Sequence, residues 1–330
     1  LKEASACFGV GGGYERPMWY ALNGNKPKYQ YSFGYQNWYE SAKFETIHAR
    51  KHVGLFELTP FSKFELKGPK AHDALQYLCA NNIKYIDGAT TYTQMLNPNG
   101  GIEADLTVTC IEKNNFRVIS GAAVRTHDKK HILSNLKFDV EFKDITEEFV
   151  CLGIFGPKSR ELLTELVGND FTTKQFPFGS GKYLNILSVS VWFQRLSYVG
   201  ELGWEIYIPI KNAKKIYEVI IEAGKNYQLI HAGAHAMDIM RMEKMYLHWG
   251  HDISPAENPF EAGLGFAVNL KKEESFIGKQ ALLQIQNRPL KKQLVMLTLN
   301  DSDPGKPLLL HDEPIYLNGQ IVGETTSGNY

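Results

Sequence analysis

Asp105 stands where a carboxylate can meet a ligand. Asn97-Pro98-Asn99-Gly100-Gly101 is a turn by composition: proline presets φ, and Asn and Gly tolerate positive φ. Alternation follows it. Leu106, Val108 and Cys110 fall on one face of a strand, and Asp105, Thr107 and Thr109 fall on the other. The first face suits a core. The second carries one acid at the mouth of a hairpin, backed by two hydroxyls, or else it is an exposed strand face with an Asp near a turn.

A second acid, Glu201, lies in Gly200-Glu201-Leu202-Gly203, between two strands. The glycines let backbone approach a ligand closely. A carboxylate held there can accept two parallel hydrogen bonds from a planar donor pair, such as an amidine or aminopyrimidinone edge; the alternative is a solvated turn glutamate. His231 and His235 stand i, i+4, a two-ligand spacing on a helix, but no HExxH pattern or nearby carboxylate supports a metal. No GxSxG or Cys–His signature supports nucleophilic catalysis.

The elements that must position these groups follow from periodicity. Residues 91–96 lead as a strand into the hairpin, 116–120 and 62–66 read as further strands, and 71–79 form an amphipathic helix after Gly68-Pro69. Residues 150–155 read as an apolar strand, and Gly156-Pro157 opens a helix carrying Leu162, Leu163, Leu166 and Val167. Residues 184–195 are one long β-rich run, 197–203 a turn, 204–209 a strand and 216–223 a helix ended by Gly224. Residues 234–247, with Met237, Met240, Met242 and Met245, are apolar nearly all round, as in a buried helix; Asp238 and Arg241 sit i, i+3 within it and can pair. A short helix spans 43–53 and another 276–283. Residues 7–40 are rich in Gly and aromatics; no apolar strand precedes Gly9-Val10-Gly11-Gly12-Gly13, so the segment reads as an irregular wrap and not a phosphate loop. From residue 293, short strands split by Asp301-Ser302-Asp303-Pro304-Gly305, His311-Asp312-Glu313-Pro314 and Asn318-Gly319 suggest the start of a small β-barrel.

Lys and Arg total 36 against 36 Asp and Glu, so the chain lacks the basic excess that nucleic acid or an anionic membrane surface requires of a main partner. Its 330 residues suffice for two or three domains. Cys7, Cys79, Cys110 and Cys151 are scattered, which fits a reducing compartment, cytoplasmic or, in a eukaryote, the mitochondrial matrix. No apolar run reaches spanning length and no signal-peptide pattern is present. The start at Leu1 and the end at Tyr330, soon after a strand-like run, read as cuts in a longer polypeptide.

Several motifs, in consistent order, resemble one family. SYVGELGWEIY at 197–207, NPNGGIEADLTVT at 97–109, AMDIMRMEKMYLHWGHD at 236–252, YERPMWYAL at 14–22, GLFELTPFSKFELKG at 54–68 and GETTSGNY at 323–330 are similar to the tetrahydrofolate-binding half of dimethylglycine and sarcosine dehydrogenases. That half is similar in turn to the aminomethyltransferase, or T-protein, of glycine cleavage. The resemblance implies an α+β, aminomethyltransferase-like three-lobed fold with folate in the central gap and a truncated C-terminal β-barrel. The expected lobes are 1–54 with 147–260, then 55–146, then a linker and the barrel start at 261–330. The implied roles are Asp105 as the acid beside the reacting folate nitrogens, Tyr92 and Thr107 lining the same pocket, Glu201 reading the pterin edge, Tyr198 packing nearby and Arg241 in the binding set. Ala104-Asp105 and Met237-Asp238 depart from the paired acids and the Arg-Asp pair usual in T-protein and agree with the dehydrogenase branch.

The implied activity is one-carbon capture in oxidative N-demethylation: tetrahydrofolate attacks an iminium or formaldehyde, giving 5,10-methylenetetrahydrofolate. FAD would sit on a separate or missing N-terminal flavin oxidoreductase domain or subunit, since no dinucleotide fingerprint occurs here. Two other readings stay open: a stand-alone aminomethyltransferase or folate-dependent methyltransferase, and a non-catalytic regulatory protein like the regulatory subunit of pyruvate dehydrogenase phosphatase.

Overall fold

The computed structural model describes residues 1–300, 303–306 and 309–329. The chain opens with an antiparallel hairpin, β1 (Ala6–Gly11) and β2 (Tyr14–Tyr20), turned by Gly12 and Gly13, both at positive φ. Helix α1 (Tyr39–Lys51) leads into β3 (Val53–Glu57). Then come β4 (Ser62–Lys67), α2 (Ala71–Leu78), β5 (Thr90–Leu96), β6 (Ile102–Glu112), β7 (Asn115–Ser120), α3 (Arg125–Asn135) and β8 (Glu141–Asp144). The next run is β9 (Phe149–Phe155), α4 (Ser159–Val167), β10 (Gly181–Ile186), β11 (Val189–Gln194), β12 (Gly203–Pro209), α5 (Ala213–Gly224), β13 (Leu229–Ala232) and α6 (Ala234–Met242). The chain closes with α7 (Lys279–Ile285), β14 (Pro314–Leu317) and β15 (Gln320–Glu324).

Two large sheets organise the protein. One has the order β5-β6-β7-β4-β8 and the other β10-β11-β12-β9-β3-β13. The strand pairs are antiparallel except β13 with β3, which is parallel. The first core forms because α2 turns Ala71, Leu75 and Leu78 onto Leu106, Val108 and Cys110 of β6 and Phe116 and Val118 of β7. The second core lies where α4 and α5 bring Leu162, Leu163, Ile216 and Ile220 onto Phe193, Trp204 and Ile206. On the other side of that sheet, Ala236, Met237 and Met240 of α6 pack with Ala49 of α1 and Phe56.

The sheets meet through polar side chains. Gln194 Nε2 donates to Thr90 Oγ1 at 2.6 Å, and Thr90 and Thr109 exchange a hydroxyl bond at 2.9 Å. Gly181 N donates to Gly88 O at 2.7 Å. Gly88 is at φ 78, and a Cβ there would stand 2.2 Å from Gly181 O, so this approach requires glycine.

Several expectations from the sequence need correction. The N-terminal aromatic segment is not irregular throughout, because Gly12-Gly13 closes a regular hairpin. The β-rich run at 184–195 is two strands, broken where Leu187 takes φ 55. The helix expected over 234–247 ends at Met242: Glu243 and Lys244 are exposed, Met245 takes φ 55, and Tyr246 N returns to Arg241 O at 2.9 Å. Asp301 and Ser302 of the expected turn, and Tyr330 of the last motif, lie outside the described residues. Among the described residues the C-terminal region holds one two-stranded ribbon, β14 with β15, and no closed barrel.

Candidate functional site

Asp105 lies on β6 opposite Gln94 of β5, and Tyr92 lies opposite Thr107. The alternation read from sequence holds: Leu106, Val108 and Cys110 are in the core, while Asp105 and Thr107 keep partial exposure on the other face. That face is not an open strand surface, because the six-stranded sheet approaches it. Thr109 is consumed there, bonded to Thr90, so of the two threonines only Thr107 remains beside the acid.

Gln94 Nε2 donates to Asp105 Oδ1 at 2.8 Å. Burial raises the Asp105 carboxyl to about 6, against the opposing pull of hydrogen bonds from Gln94 and Tyr92; the charge of Asp128 pushes the same way as burial. Tyr92 and Tyr198 both have hydroxyls pushed above the ordinary tyrosine value, first by burial and then by nearby acids that include Asp105. The Tyr198 hydroxyl donates to Leu247 O at 2.7 Å, and its ring stacks on Tyr246. Phe266 lies 6.0 Å from the Tyr92 ring. An acid that titrates near neutrality thus sits among aromatic rings.

Arg241 is buried and already engaged. Its Nε donates to Asp238 at 2.7 Å, as the i, i+3 spacing anticipates. Nη1 donates to Asp252 Oδ2 at 2.6 Å and to Tyr246 O at 3.1 Å, and Nη2 to Ser327 Oγ at 2.7 Å. Asp252 Oδ1 in turn accepts from Thr326 and Ser327. Arg241 therefore holds α6, the 246–252 loop and the C-terminal segment together beside Tyr198.

Glu201 lies in the turn that leads into β12. Burial raises its carboxyl, with Lys244 and Arg50 pulling it down. No hydrogen bond occupies its oxygens among the described residues. Gly200 takes φ 72, and a Cβ there would lie 2.4 Å from the Lys244 side chain, so the turn needs its glycine. His231 is on β13 and His235 on α6, so the pair does not share a helix face; each ring nitrogen meets a tyrosine hydroxyl, Tyr217 and Tyr29 respectively, at 2.7 Å.

The sequence reading missed Gln94, Asp128 and Asp252. A regular ladder counted back from the Asn97–Gly101 turn would set Thr93 opposite Asp105; the register shift between Met95 and Leu96 brings Gln94 there instead. Asp128 is only 1% exposed, on α3 against β6, and takes His127 Nδ1 at 3.0 Å; no apolar stripe marks that helix in the sequence.

The chain matches the GCVT N-terminal domain over residues 1–272. It is 37% identical over 333 residues to mitochondrial dimethylglycine dehydrogenase of Homo sapiens, covering 99% of this chain and 38% of that protein. The chain thus spans less than half of that relative's length. It is 33% identical over 295 residues to aminomethyltransferase of Thermotoga maritima, covering 89% of this chain and 79% of the relative. Among solved structures, glycine cleavage system aminomethyltransferase T from Bartonella henselae aligns with TM-score 0.73 at 25% identity, covering 87% of this chain and 73% of that one. The α+β, aminomethyltransferase-like fold expected from the sequence is the fold found.

Proposed function

The chain belongs to the GCVT N-terminal domain family, and from that premise we infer that it captures one-carbon units on tetrahydrofolate, forming 5,10-methylenetetrahydrofolate in oxidative N-demethylation of the dimethylglycine or sarcosine type. The observation that carries this reading is Asp105: a single carboxyl, raised to about 6, between Tyr92 and Tyr198 at the mouth of the hairpin. The residues fit folate by their chemistry. Tyr92, Tyr198 and Phe266 offer rings to a flat heterocycle, and Glu201 has both oxygens available to a paired donor edge.

Tetrahydrofolate supplies the nucleophilic nitrogens when bound. Asp105 then takes up a proton at its carboxylate and returns it to the departing amine or hydroxyl, work suited to a group whose pKa lies near the operating pH. Its negative charge also stabilises cation that develops on the reacting nitrogen. Gln94, bonded to Oδ1, and Tyr92 hold the carboxylate in place for the reaction. Tyr92 and Thr107 line the pocket, Glu201 and Tyr198 orient the heterocycle, and Arg241 is a positioning residue that keeps the loop under Tyr198 in place.

A flavin oxidoreductase domain or subunit, bearing FAD, would deliver the iminium or formaldehyde; the dehydrogenase relative, longer than this chain and mitochondrial by name, supports both that partner and a matrix location in a eukaryote. We propose three lobes, the central one built on the six-stranded sheet, the second on the five-stranded sheet and the third from residue 261 onward. The central lobe takes in all of β3, past the 54/55 boundary read from the sequence. The coverage of an aminomethyltransferase relative favours a second reading, stand-alone aminomethyl transfer.

The test is the rate of methylenetetrahydrofolate formation from formaldehyde beside a folate titration. Asp105→Asn should slow capture by about 10²-fold or more while affinity changes much less, because the charge acts mainly on the transition state. Equal rates for the two proteins would remove Asp105 from the reaction.

A further inference from the structure

Away from Asp105, a cleft of 510 Å³ opens between the aromatic segment before α1, the start of α6 and Pro304, Gly305, Leu309, Leu310, Gly328 and Asn329. Its walls carry Tyr31, Phe33, Tyr35, Trp38, His235 and Asp238. Among the described residues that border it, Asp238 is the one carrying a formal charge at neutral pH. Its side chain is 42% exposed, although Arg241 Nε holds one of its oxygens. His235 is neutral: burial lowers it to about 4, and its Nε2 meets the Tyr29 hydroxyl. Among the described residues, no Lys or Arg lines the cleft.

Charged groups stand behind the wall as well. Arg241 stands between Asp238 and Asp252, and Arg16 lies within charge reach of Asp238 and Glu57. Burial raises the Glu57 carboxyl, so Asp238 and Asp252 are the acids set against the two guanidinia. The rings supply the second element. His235 stacks on one face of Trp38 at 3.9 Å and 12°, and Tyr29 stacks on Tyr31 at 5.4 Å, so these rings are braced as walls. Tyr35 is tied to Glu40 through its hydroxyl. Phe33 is 92% exposed and Tyr31 88%, so apolar rings stand at the rim, open to solvent.

Aromatic faces beside a carboxylate that is 42% exposed attract an organic cation. The ring quadrupole draws an ammonium whose methyl groups lower its hydration, and the acid selects for charge. The volume is that of a small-molecule site. An anionic tail such as a folate glutamate is disfavoured at such a wall, because it would face Asp238 with no Lys or Arg among the described lining residues to meet it. A neutral apolar ligand would use the rings and leave the acid unused.

We propose that this cleft is a second ligand site, distinct from the Asp105 pocket, and that it binds small methylated ammonium ions through its aromatic walls and Asp238. The site stands on its own geometry. Its link to one-carbon chemistry rests on the preceding reading: a methylated amine held there is of the class from which the captured carbon comes.

The experiment uses choline and its neutral isostere 3,3-dimethylbutan-1-ol, in which carbon replaces the charged nitrogen. Each is titrated into the full chain by calorimetry and by the chemical shift of the Trp38 indole N–H. Choline should bind at least about tenfold more tightly than the alcohol. Trp38→Leu should weaken choline by about tenfold and leave tetrahydrofolate binding within about twofold. Asp238→Asn should narrow the gap between the two probes. Because Asp238 also holds Arg241, its folding is checked by circular dichroism; if that variant unfolds, the isostere pair and Trp38→Leu decide. Equal binding of the two probes, absence of choline binding at millimolar concentration, or choline binding indifferent to Trp38 would each overturn the site. A wild-type protein that binds choline but not tetrahydrofolate would keep this site and overturn the folate reading; the reverse result would do the opposite.

Discussion

Gln94 reaches across the β5–β6 hairpin and donates its amide to Asp105 Oδ1 at 2.8 Å. The bond comes from register: the two residues are direct partners in the ladder, on the face away from the core. A neutral donor of this kind steadies the carboxylate without supplying a counter-charge. The acid therefore keeps the high proton affinity that burial gives it.

That proton affinity must appear in stability. The Asp105 carboxyl titrates near its ordinary 3.8 in the unfolded chain and near 6 when folded. Between these values the folded protein holds the extra proton, so stability falls as pH rises through the window, by on the order of 3 kcal/mol once pH is well above 6. Asp105→Asn removes the penalty. Its urea midpoint should exceed that of wild type at pH 7 and match it near pH 4. A constant difference across this range would show that the charge of Asp105 is not what the fold resists.

Glu201 should act on binding. Glu201→Gln keeps the shape of the turn but turns one acceptor into a donor. Tetrahydrofolate should weaken by roughly 1.5–3 kcal/mol, the scale of a hydrogen bond to a charged group. Unchanged affinity in a calorimetric titration would rule out contact with the pterin edge.

Arg241 should act on structure. Asp252 is 7% exposed and keeps its charge because Arg241, the His248 N–H, Thr326 and Ser327 surround it. Arg241→Ala leaves a buried carboxylate without a cation and should cost roughly 3–5 kcal/mol. Amide exchange at 323–329 should accelerate in the same variant. Stability near that of wild type, with slow exchange in that segment, would refute the positioning role.

The parts of the fold that were legible are those with a period. The face of β6, the stripe of α2 and the apolar run of β9 follow from alternation or 3.6-residue spacing, and each packs on the core it implies. Helix α3 was not read because its sequence, RTHDKKHILSN, buries only Asp128 and Ile132. The β10–β11 turn carries no Gly or Pro; Leu187 takes positive φ there without a signal. At the site, the Asp238–Arg241 pair is local in sequence and was visible. The other partners of Arg241, at 246, 252 and 327, are set by tertiary return of the chain. The cleft wall was hidden for the same reason: its aromatics lie before α1 and its acid on α6.

The hydroxyls of Thr326 and Ser327 on Asp252 also determine what a protease would produce. Residues 286–300 run largely exposed and without helix or strand between α7 and the ribbon. A nick there would give two bands on a denaturing gel, yet the smaller piece would still be docked on Asp252 and Arg241 in solution. Its release would be a dissociation, reversible and dependent on dilution, so a nicked sample could run as one species on a sizing column and lose its tail only when washed.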